Sequence, residues 1–501
     1  GQVVGGTLTV LGEINALASG STAQITSNLN LGGISRNFNI ADGALVMDME
    51  ISGAVTNGGL NKNGPGTLIL SGPAASANSF VGATMVNQGV LILKKSAIDG
   101  AIAGNLTIGD GVGEANSDVV RLEADEQIKA SGWNWVNVKS TGVLELAGHV
   151  ETIGNLSLSG GNVTTGPSSA GVLRAMGDVV SNAADTTSTI SGRMDLGGGM
   201  RTFNVADGAP ANDLSITAII FNGGIRKSGD GKLRLLGNLF SGGVALMQGG
   251  LVVASDFALG SGQLTMDGGT IEAEGAPAFN NPVRIEGPAA VVGSANLVLR
   301  GPISSNAVLS KRGGGVLSIW GAQSNEPGAG LNVLAGRVNL NSDAGTPATA
   351  ASAAVANLIL KIGKGEILDS MVVLGANQEL AGLEVASAAS TNAQGLDLNS
   401  PTDPGAFRTV RVYATELVAA KSSIYDAIAN ANASGALDPH DGIFDSGLSA
   451  HPGARIGVAM VNDAHGDANV LIRPTIAGDL NLDGMVTIGD FIDLASHFNE
   501  V

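Results

Sequence analysis

The chain contains no cysteine, so its 501 residues can form neither disulfides nor thiolate metal sites, and thiol chemistry is excluded. Aromatic residues make up only 3% of the sequence. No apolar run approaches the roughly 18 residues of a membrane-spanning helix, so we expect no membrane span. Lys and Arg number 26 against 44 Asp and Glu, which leaves a net charge of −18. An acidic surface repels phosphate groups, so we expect no nucleic-acid partner.

Glycine and aliphatic residues are abundant instead. The chain has 75 glycines, and 44% of its residues are hydrophobic, mainly Ala, Val, Leu and Ile. A disordered chain would lack this aliphatic content. Glycine at this frequency divides a chain into short segments joined by tight turns. The composition therefore predicts a mainly β protein built of many short strands.

Two internal repeats organise the sequence. The segments Ile25–Ala44 and Ile190–Ala209 align without a gap and share the residues Arg, Phe, Asn, Ala, Asp, Gly and Ala near their ends. A second pattern, K-x-G-x-G-x-L-x-[IL]-x-G, occurs at Lys62–Gly72, Lys227–Gly237 and Lys311–Gly321. Its aliphatic residues alternate with a period of two, which is the period of a β-strand. The glycines before each strand permit a sharp corner.

The strand-like runs continue to about residue 400, which is more than a sandwich of about seven to nine strands can hold. A sandwich or barrel and a parallel β-solenoid both satisfy the alternation. Only the solenoid buries a continuous core at any length, because each coil stacks on the one before it. We therefore predict a parallel β-helix over residues 1–400.

The segment Ile51–Leu93, with its second half Thr84–Leu91 (TMVNQGVL), resembles the autotransporter-associated β-strand repeat. Two further stretches, Asn281–Gly287 and Asn377–Ala386, are similar to it. The resemblance implies a right-handed parallel β-helix and a bacterial protein that is secreted, extracellular or held at the cell surface. The family is not tied to a catalytic activity.

The texture of the sequence changes near Asp397–Gly405, a polar stretch with two prolines that reads as a linker. Beyond it, Leu417–Ala431 has helical periodicity, and strands are predicted at Arg408–Tyr413 and Arg455–Val461. We predict a small α+β domain over residues 405–473. A solenoid needs a cap because its last coil presents unpaired strand edges, and this domain is expected to supply it.

The segment Asp479–Asp490 (DLNLDGMVTIGD) has the spacing of an EF-hand calcium loop, with glycine at the sixth position. Carboxylate, amide, hydroxyl and carbonyl oxygens at alternate positions are the ligands that Ca²⁺ prefers. The predicted cofactor is therefore Ca²⁺. The predicted ligands are Asp479, Asn481, Asp483, Met485 through its carbonyl oxygen, Thr487 and Asp490.

Residues 474–501 resemble one dockerin repeat, because Asp490 replaces the usual glutamate and the helix Phe491–Asn499 follows the loop. The resemblance implies calcium binding. Dockerins normally carry two such repeats and this segment carries one, so the resemblance leaves cohesin binding open.

Residues 1–400 hold a single histidine, His149, and no carboxylate pattern that recurs from coil to coil. Polysaccharide-cleaving β-helices need clustered carboxylates. The acidic stretch with Glu123, Asp125 and Glu126 reads as a solvated loop. We therefore predict no catalytic residues, no organic cofactor and no enzyme activity.

The tryptophans give a weaker signal for ligand binding. Trp133 and Trp135 lie two residues apart on one side of a strand, where packing is favoured over sugar stacking. Trp320 stands where the other copies of the lysine repeat have serine or leucine, and we expect it to face outward without an assigned role.

The leading hypothesis is a structural extracellular protein that self-assembles into filaments or fibres, with calcium stabilising its C-terminal segment. The strand-like start Gln2–Ile14 favours homo-oligomers formed by head-to-tail stacking or by strand donation. The alternative is an adhesin, or a β-helix that binds or degrades polysaccharide, tethered through the dockerin-like tail. A surface glycan or a protein is then the partner.

Overall fold

The computed structural model describes residues 1–130, 134–345, 356–363, 369–385, 394–399, 408–432, 441–444, 454–476, 478–480, 482 and 485–488. The chain divides into two compact units, Gly1–Gly262 and Gln263–Val501. The chain is mainly β and winds as a parallel β-solenoid, which confirms the predicted fold class at this level. Its handedness and the division into domains near residue 400 remain predictions.

The first unit winds through two long parallel sheets, A and B, and a discontinuous third side. Sheet A contains the strands Gln2–Val3, Ala23–Ile25, Met49–Ile51, Thr67–Gly72, Gly89–Lys95, Asp118–Leu122, Gly142–Glu145, Asn162–Thr164, Ser188–Ser191, Leu214–Ile216, Lys232–Leu235 and Gly250–Val253. Sheet B contains Ile14–Ala16, Ser35–Ile40, Gly59–Asn63, Thr84–Val86, Leu106–Ile108, Trp135–Lys139, Asn155–Ser159, Val179–Ser181, Met200–Val205, Gly224–Ser228 and Val244–Leu246.

The third side of this unit carries two short parallel sheets and a 3-10 turn. Sheet C contains Thr7–Thr9, Asn28–Asn30 and Val55–Thr56, and the turn is Ala74–Ser76. Sheet D contains Val150–Ile153, Val172–Ala175, Arg193–Asp195 and Ile219–Phe221. A coil therefore consists of one strand from each sheet wherever all three sides are regular.

Inward side chains stack in columns from coil to coil. Leu68 pairs in register with Leu91, which pairs with Val120, and all three are fully buried. Ile69 lies on the opposite side of its strand and is nevertheless only 3% exposed, between Glu50 and Ile92 of the neighbouring coils. The core thus consists largely of aliphatic columns. Burying their apolar surface stabilises the fold by about 25 cal/mol per Å².

Where the third side has no regular strands, buried asparagine side chains make the hydrogen bonds between coils that strand pairing makes elsewhere. The side chain of Asn78 accepts a hydrogen bond from the Val55 amide and donates one to the Ala101 carbonyl, at 2.9 Å each. Asn238 makes the equivalent bonds to Ile220 and Ala258 at 3.0 and 2.7 Å. Each amide therefore bonds one backbone group of the coil before it and one of the coil after it.

A buried carboxyl group bonds the backbone of the preceding coil at a point between these two amides in the sequence. Glu151 points inward and its two oxygens accept hydrogen bonds from the Gln127 and Ile128 amides at 2.7 and 3.0 Å. The Gln127 side chain in turn bonds the Lys95 backbone in both directions. Burial raises the pKa of Glu151 to about 8, against the opposing effect of the two amide hydrogen bonds.

The second unit continues with parallel sheets E, F and G. Sheet E contains Thr270–Ala273, Ala289–Val292, Val308–Lys311, Gly330–Val333, Ile359–Ile362 and Gly382–Val385. Sheet F contains Leu264–Met266, Val283–Ile285, Ile303–Ser305 and Gln323–Asn325. Sheet G contains Ala278–Phe279, Leu297–Leu299, Val316–Ile319, Gly336–Leu340, Ser370–Leu374, Gln394–Asp397 and Asp441–Phe444.

A four-stranded sheet and a helix follow in the sequence. Sheet H contains Gln378–Leu380, Val410–Val412, Ala468–Ile476 and Ala454–Asn462, the last two forming an antiparallel hairpin. The helix is Leu417–Asn432, where the apolar periodicity predicted one. Strands from beyond residue 405 pair in parallel with earlier strands of sheets G and H, so this region extends the solenoid's own sheets. Among the described residues, no helix has the length and hydropathy needed to cross a bilayer.

We predict that Glu151 makes the wild-type protein less stable as the pH rises from 4.5 to about 8. In this window the folded protein keeps a proton that the unfolded chain loses, so the free energy of unfolding falls by up to about 1.4 kcal/mol per pH unit. The variant Glu151→Gln does not titrate. Its melting temperature relative to the wild type should therefore rise between about pH 5 and about pH 8. A difference that stays constant with pH would contradict the raised pKa.

Candidate functional site

The lysine repeat forms a corner of the solenoid. In the first copy, Lys62 is the last residue but one of a strand of sheet B, Gly64 turns the chain with φ of 78°, and Thr67 begins a strand of sheet A. The Lys62 side chain folds beneath the turn and is fully buried. Its Nζ atom donates to the carbonyl oxygens of Asn63, Gly64 and Gln88 at 3.4, 2.7 and 2.8 Å. The first two carbonyls belong to the turn and the third to the next coil.

The other two copies repeat this arrangement. Lys227 donates to the carbonyls of Ser228 and Gly229 in its own turn at 2.9 and 2.7 Å, and to Gln248 of the next coil at 3.1 Å. Lys311 donates likewise at 3.1, 2.6 and 3.2 Å. Its acceptors are Arg312, Gly313 and Ala335. We name these three arrangements the lysine corners.

The third lysine corner sits on a different edge. Lys62 and Lys227 join sheet B to sheet A, whereas Lys311 joins sheet E to sheet G. The hydrogen-bond pattern is the same in both settings. The motif therefore specifies a kind of corner and not a place in the coil.

Glycine in the following coil completes each corner. Gly89 has φ of 73°, and a Cβ atom added to it would lie 2.7 Å from the carbonyl oxygens of both Gly64 and Gly66. Gly249 and Gly336 are in equivalent positions, with φ of 70° and 75°. The backbone of the next coil must approach the carbonyls this closely for its own carbonyl to reach the lysine. This explains why a glycine stands at or next to the start of the strand that follows each lysine pattern.

Burial and hydrogen bonding act in opposite directions on the three lysines. Removal from water lowers the pKa of Lys62, Lys227 and Lys311 to about 8. Three carbonyl oxygens around each nitrogen match the three donors of an ammonium group. The lysines are therefore mostly protonated at neutral pH, and each ammonium group donates its hydrogen bonds to backbone carbonyl oxygens.

The other sequence repeat is a second backbone clamp. Arg36 and Arg201 each donate from Nε to a carbonyl five residues earlier, at 2.8 and 2.9 Å. Asp48 receives hydrogen bonds from the Gly43 and Thr67 amides at 2.7 and 2.8 Å. Asp213 makes the same pair of contacts in the second copy. These two aspartates were not predicted from the sequence, although both stand five residues after the glycine of the repeated Ala-Asp-Gly.

Asparagines form a ladder along sheet B. Asn87 donates to Asn63 at 2.9 Å, Asn63 to Asn39 at 3.1 Å, and Asn39 to Asn15 at 2.8 Å. Every amide donor in this series points toward the earlier coil. The ladder ends on the carboxylate of Glu13, which also accepts a bond from Asn39 at 3.1 Å. These amides hold successive coils in register, as the lysine corners do.

The acidic stretch predicted to be a solvated loop is paired along one side of the solenoid. Asp125 contacts His149 Nδ1 at 2.9 Å, and Glu126 lies 3.4 Å from Arg174. A hydrogen bond from the Val150 amide lowers the pKa of Asp125. In the part of the chain that the structure describes, no three His, Cys, Asp or Glu side chains are grouped so as to hold a metal ion. The prediction of no catalytic residue remains untested.

The predicted calcium loop is described in part. Asn481, Asp483 and Asp490 lie outside the described residues, as does the helix Phe491–Asn499. Asp479 is 4% exposed and accepts a hydrogen bond from the Thr475 hydroxyl. Met485 and Thr487 are exposed. The oxygen-only donor set read from the sequence suits a hard cation, and Ca²⁺ stays a prediction.

The start of this loop is docked on the C-terminal hairpin. Leu482 has a positive φ of 59° and is 4% exposed, packed with Ala459 and Leu471. Its carbonyl oxygen accepts a hydrogen bond from Arg473 at 2.9 Å. A Cβ atom at Gly457 would lie 2.2 Å from the Leu482 side chain. The described start of the loop therefore packs on the hairpin through Leu482.

The tryptophans differ in exposure. Trp133 lies outside the described residues, and Trp135 is half-buried. Trp320 is 48% exposed, as the sequence predicted.

A known family of repeats matches the parts of the chain that contain two of the lysine corners. The family model of the passenger-associated-transport-repeat matches residues 60–93 and 225–253, which contain the first two lysine corners and the strands that complete them. The match and the β-solenoid fit an autotransporter-associated repeat protein. No curated protein and no solved structure matches the chain significantly. The matched residues are those that hold the corners together.

We predict that Lys227→Met loosens the corner, because three buried carbonyls lose their donor. The expected cost is about 1–3 kcal/mol of local stability, measured by hydrogen exchange over residues 225–253. The control is Lys94→Met, which removes an exposed lysine paired with Glu123 and should change exchange little. Equal exchange in the two variants would show that the buried ammonium does not hold the corner.

Proposed function

We propose that this chain is an extracellular structural protein of a bacterium, without catalytic activity, that assembles with copies of itself. The family match suggests a secreted or cell-surface bacterial protein. The observation that carries the proposal is the destination of the repeated residues. The repeated lysines, arginines and aspartates are directed at backbone atoms of their own or neighbouring coils. Repeated residues that bond the backbone are expected in a protein whose function is mechanical support or spacing.

The first coil supports the assembly step. Val3 and Leu8 are 41% and 38% exposed, whereas their register partners Ile25 and Leu29 are 6% and 0% exposed. The strands Gln2–Val3 and Thr7–Thr9 pair with the following coil, and no other described strand pairs with their free edge. We propose that copies of the chain stack head to tail through parallel coils of this kind.

We expect the wild-type chain to sediment faster as its concentration rises, and Leu8→Asp to remain monomeric because a charge blocks stacking of the core column. Val81→Asp is the control, since Val81 is 80% exposed and belongs to a later coil. Sedimentation velocity measures all three proteins, and their melting temperatures establish that each is folded. A wild-type chain that is monomeric at every concentration would exclude assembly and leave the fold and the family match untouched.

Calcium is proposed to stabilise the C-terminal segment. Leu482, which lies between the predicted ligands Asp479 and Asp483 in the sequence, packs against the hairpin. A cation that orders the loop holds Leu482 against the hairpin. Binding energy at the loop thereby becomes stability of the strands Ala454–Asn462 and Ala468–Ile476.

Calorimetric titration of the chelator-treated chain with CaCl₂ should show one site. Asp483→Asn should weaken it at least about tenfold by removing a ligand charge. Asp467→Asn in the hairpin turn is the control and should bind as the wild type does. Calcium should also slow hydrogen exchange of the hairpin in the wild type. Absence of binding heat, or equal affinity in Asp483→Asn, would refute the site.

A further inference from the structure

Four side chains occupy the same corner position in successive coils of the second unit. Arg300 donates its backbone amide to the Phe279 carbonyl, Trp320 to Leu299, and Asn341 to Ile319, each at 2.8 Å. The first member of the row is Asn280, which follows Phe279. Asn280, Arg300 and Trp320 are exposed and Asn341 is half-buried. We name this set the Trp320 row.

Trp320 is isolated from other exposed apolar groups. Between residues 263 and 345, all of which are described, it is the one large hydrophobic side chain that is exposed. Its neighbours along the row are a guanidinium and an amide. The adjacent strand surface carries Val298, Ser318 and Asn339 in register, and the last two are joined by a hydrogen bond of 3.2 Å. Trp320 is thus one exposed aromatic face among mainly hydrogen-bonding groups, with the half-buried Val298 beside Ser318.

The corner itself does not require an indole. The equivalent residues in the other lysine corners are Ser71 and Leu236. Ser71 is 7% exposed and Leu236 is 38% exposed, and both corners keep the same lysine hydrogen bonds. Trp320 therefore adds a π-face at a place where the fold accepts a small or an aliphatic side chain.

We propose that the Trp320 row is a carbohydrate-binding subsite, in which a pyranose ring stacks on Trp320 and its hydroxyls bond the Arg300 guanidinium and the amide nitrogen of Asn341, whose Oδ1 atom is buried. Aromatic rings stack on the apolar face of a sugar ring, and amide and guanidinium groups form hydrogen bonds with its hydroxyls. Coils repeat at about 4.8 Å, close to the length of one sugar residue, so consecutive sugars of a chain meet consecutive members of the row.

A protein partner is the less fitting occupant. Protein interfaces surround an aromatic anchor with further apolar area that excludes water. The surface between residues 263 and 345 offers no second exposed large hydrophobic side chain beside Trp320. A sugar needs only one stacking face, because its remaining groups are polar.

The experiment is calorimetric titration of the full chain with five hexasaccharides, of β-1,4-linked glucose, xylose, mannose, N-acetylglucosamine and α-1,4-linked galacturonic acid. The variants are Trp320→Leu, which copies the residue at Leu236, and Trp320→Phe, which keeps a π-face. Trp135→Phe is the matched control, since Trp135 is half-buried on sheet B. Circular dichroism and melting temperature establish that the variants are folded.

The wild type should bind at least one hexasaccharide. Trp320→Leu should weaken that binding at least about tenfold, Trp320→Phe much less, and Trp135→Phe not at all. Failure of the wild type to bind any of the five would overturn the proposal, as would equal affinity in Trp320→Leu. Pull-down of a protein by the wild type, without saccharide binding, would assign the row to a protein partner instead.

Discussion

The buried ammonium group at each lysine corner is the contact on which the corner geometry depends. A parallel solenoid has strong ladders along its faces and weak points at its turns, where carbonyls point inward without a strand partner. Lys62, Lys227 and Lys311 supply three donors at such points and reach the next coil as well as their own turn. Because each lysine bonds to two coils, it fixes the corner shape and the stacking distance together.

The remaining polar residues of the interior serve the same purpose on the other sides. Asn78 and Asn238 each bond the backbone of the coils on both sides, and Glu151 accepts two backbone hydrogen bonds from the preceding coil. Their spacing follows the irregular parts of the third side, where the sheets are interrupted. A core with few aromatics cannot rely on large side chains to fill gaps, so hydrogen bonds of this kind specify where each coil sits. The ionisable members bring a dependence on pH with them.

This division of labour leaves the outer surface free to vary. Positions equivalent in the three corners carry serine, leucine and tryptophan while the interior contacts persist. A scaffold with that tolerance suits a protein that spans distance or presents groups at intervals. The proposed assembly surface of the first coil, the oxygen-rich loop at residues 479–490 and the Trp320 row are then three separate additions to one repeated framework.

The sequence alone determined the coil and its corners, because the period of two, the glycines and the lysine repeat are local signals that any one coil displays. It also predicted the helix over Leu417–Ala431, which the structure has at Leu417–Asn432, and the outward position of Trp320. Only the tertiary structure decided what the lysine does, since its third acceptor lies 21 to 26 residues away in the next coil. The inward turn of Glu151 and the alignment of Asn280, Arg300, Trp320 and Asn341 have the same origin. Stacking brings residues about one coil apart into contact, and the lengths of the turns that set this register follow no fixed period in the sequence.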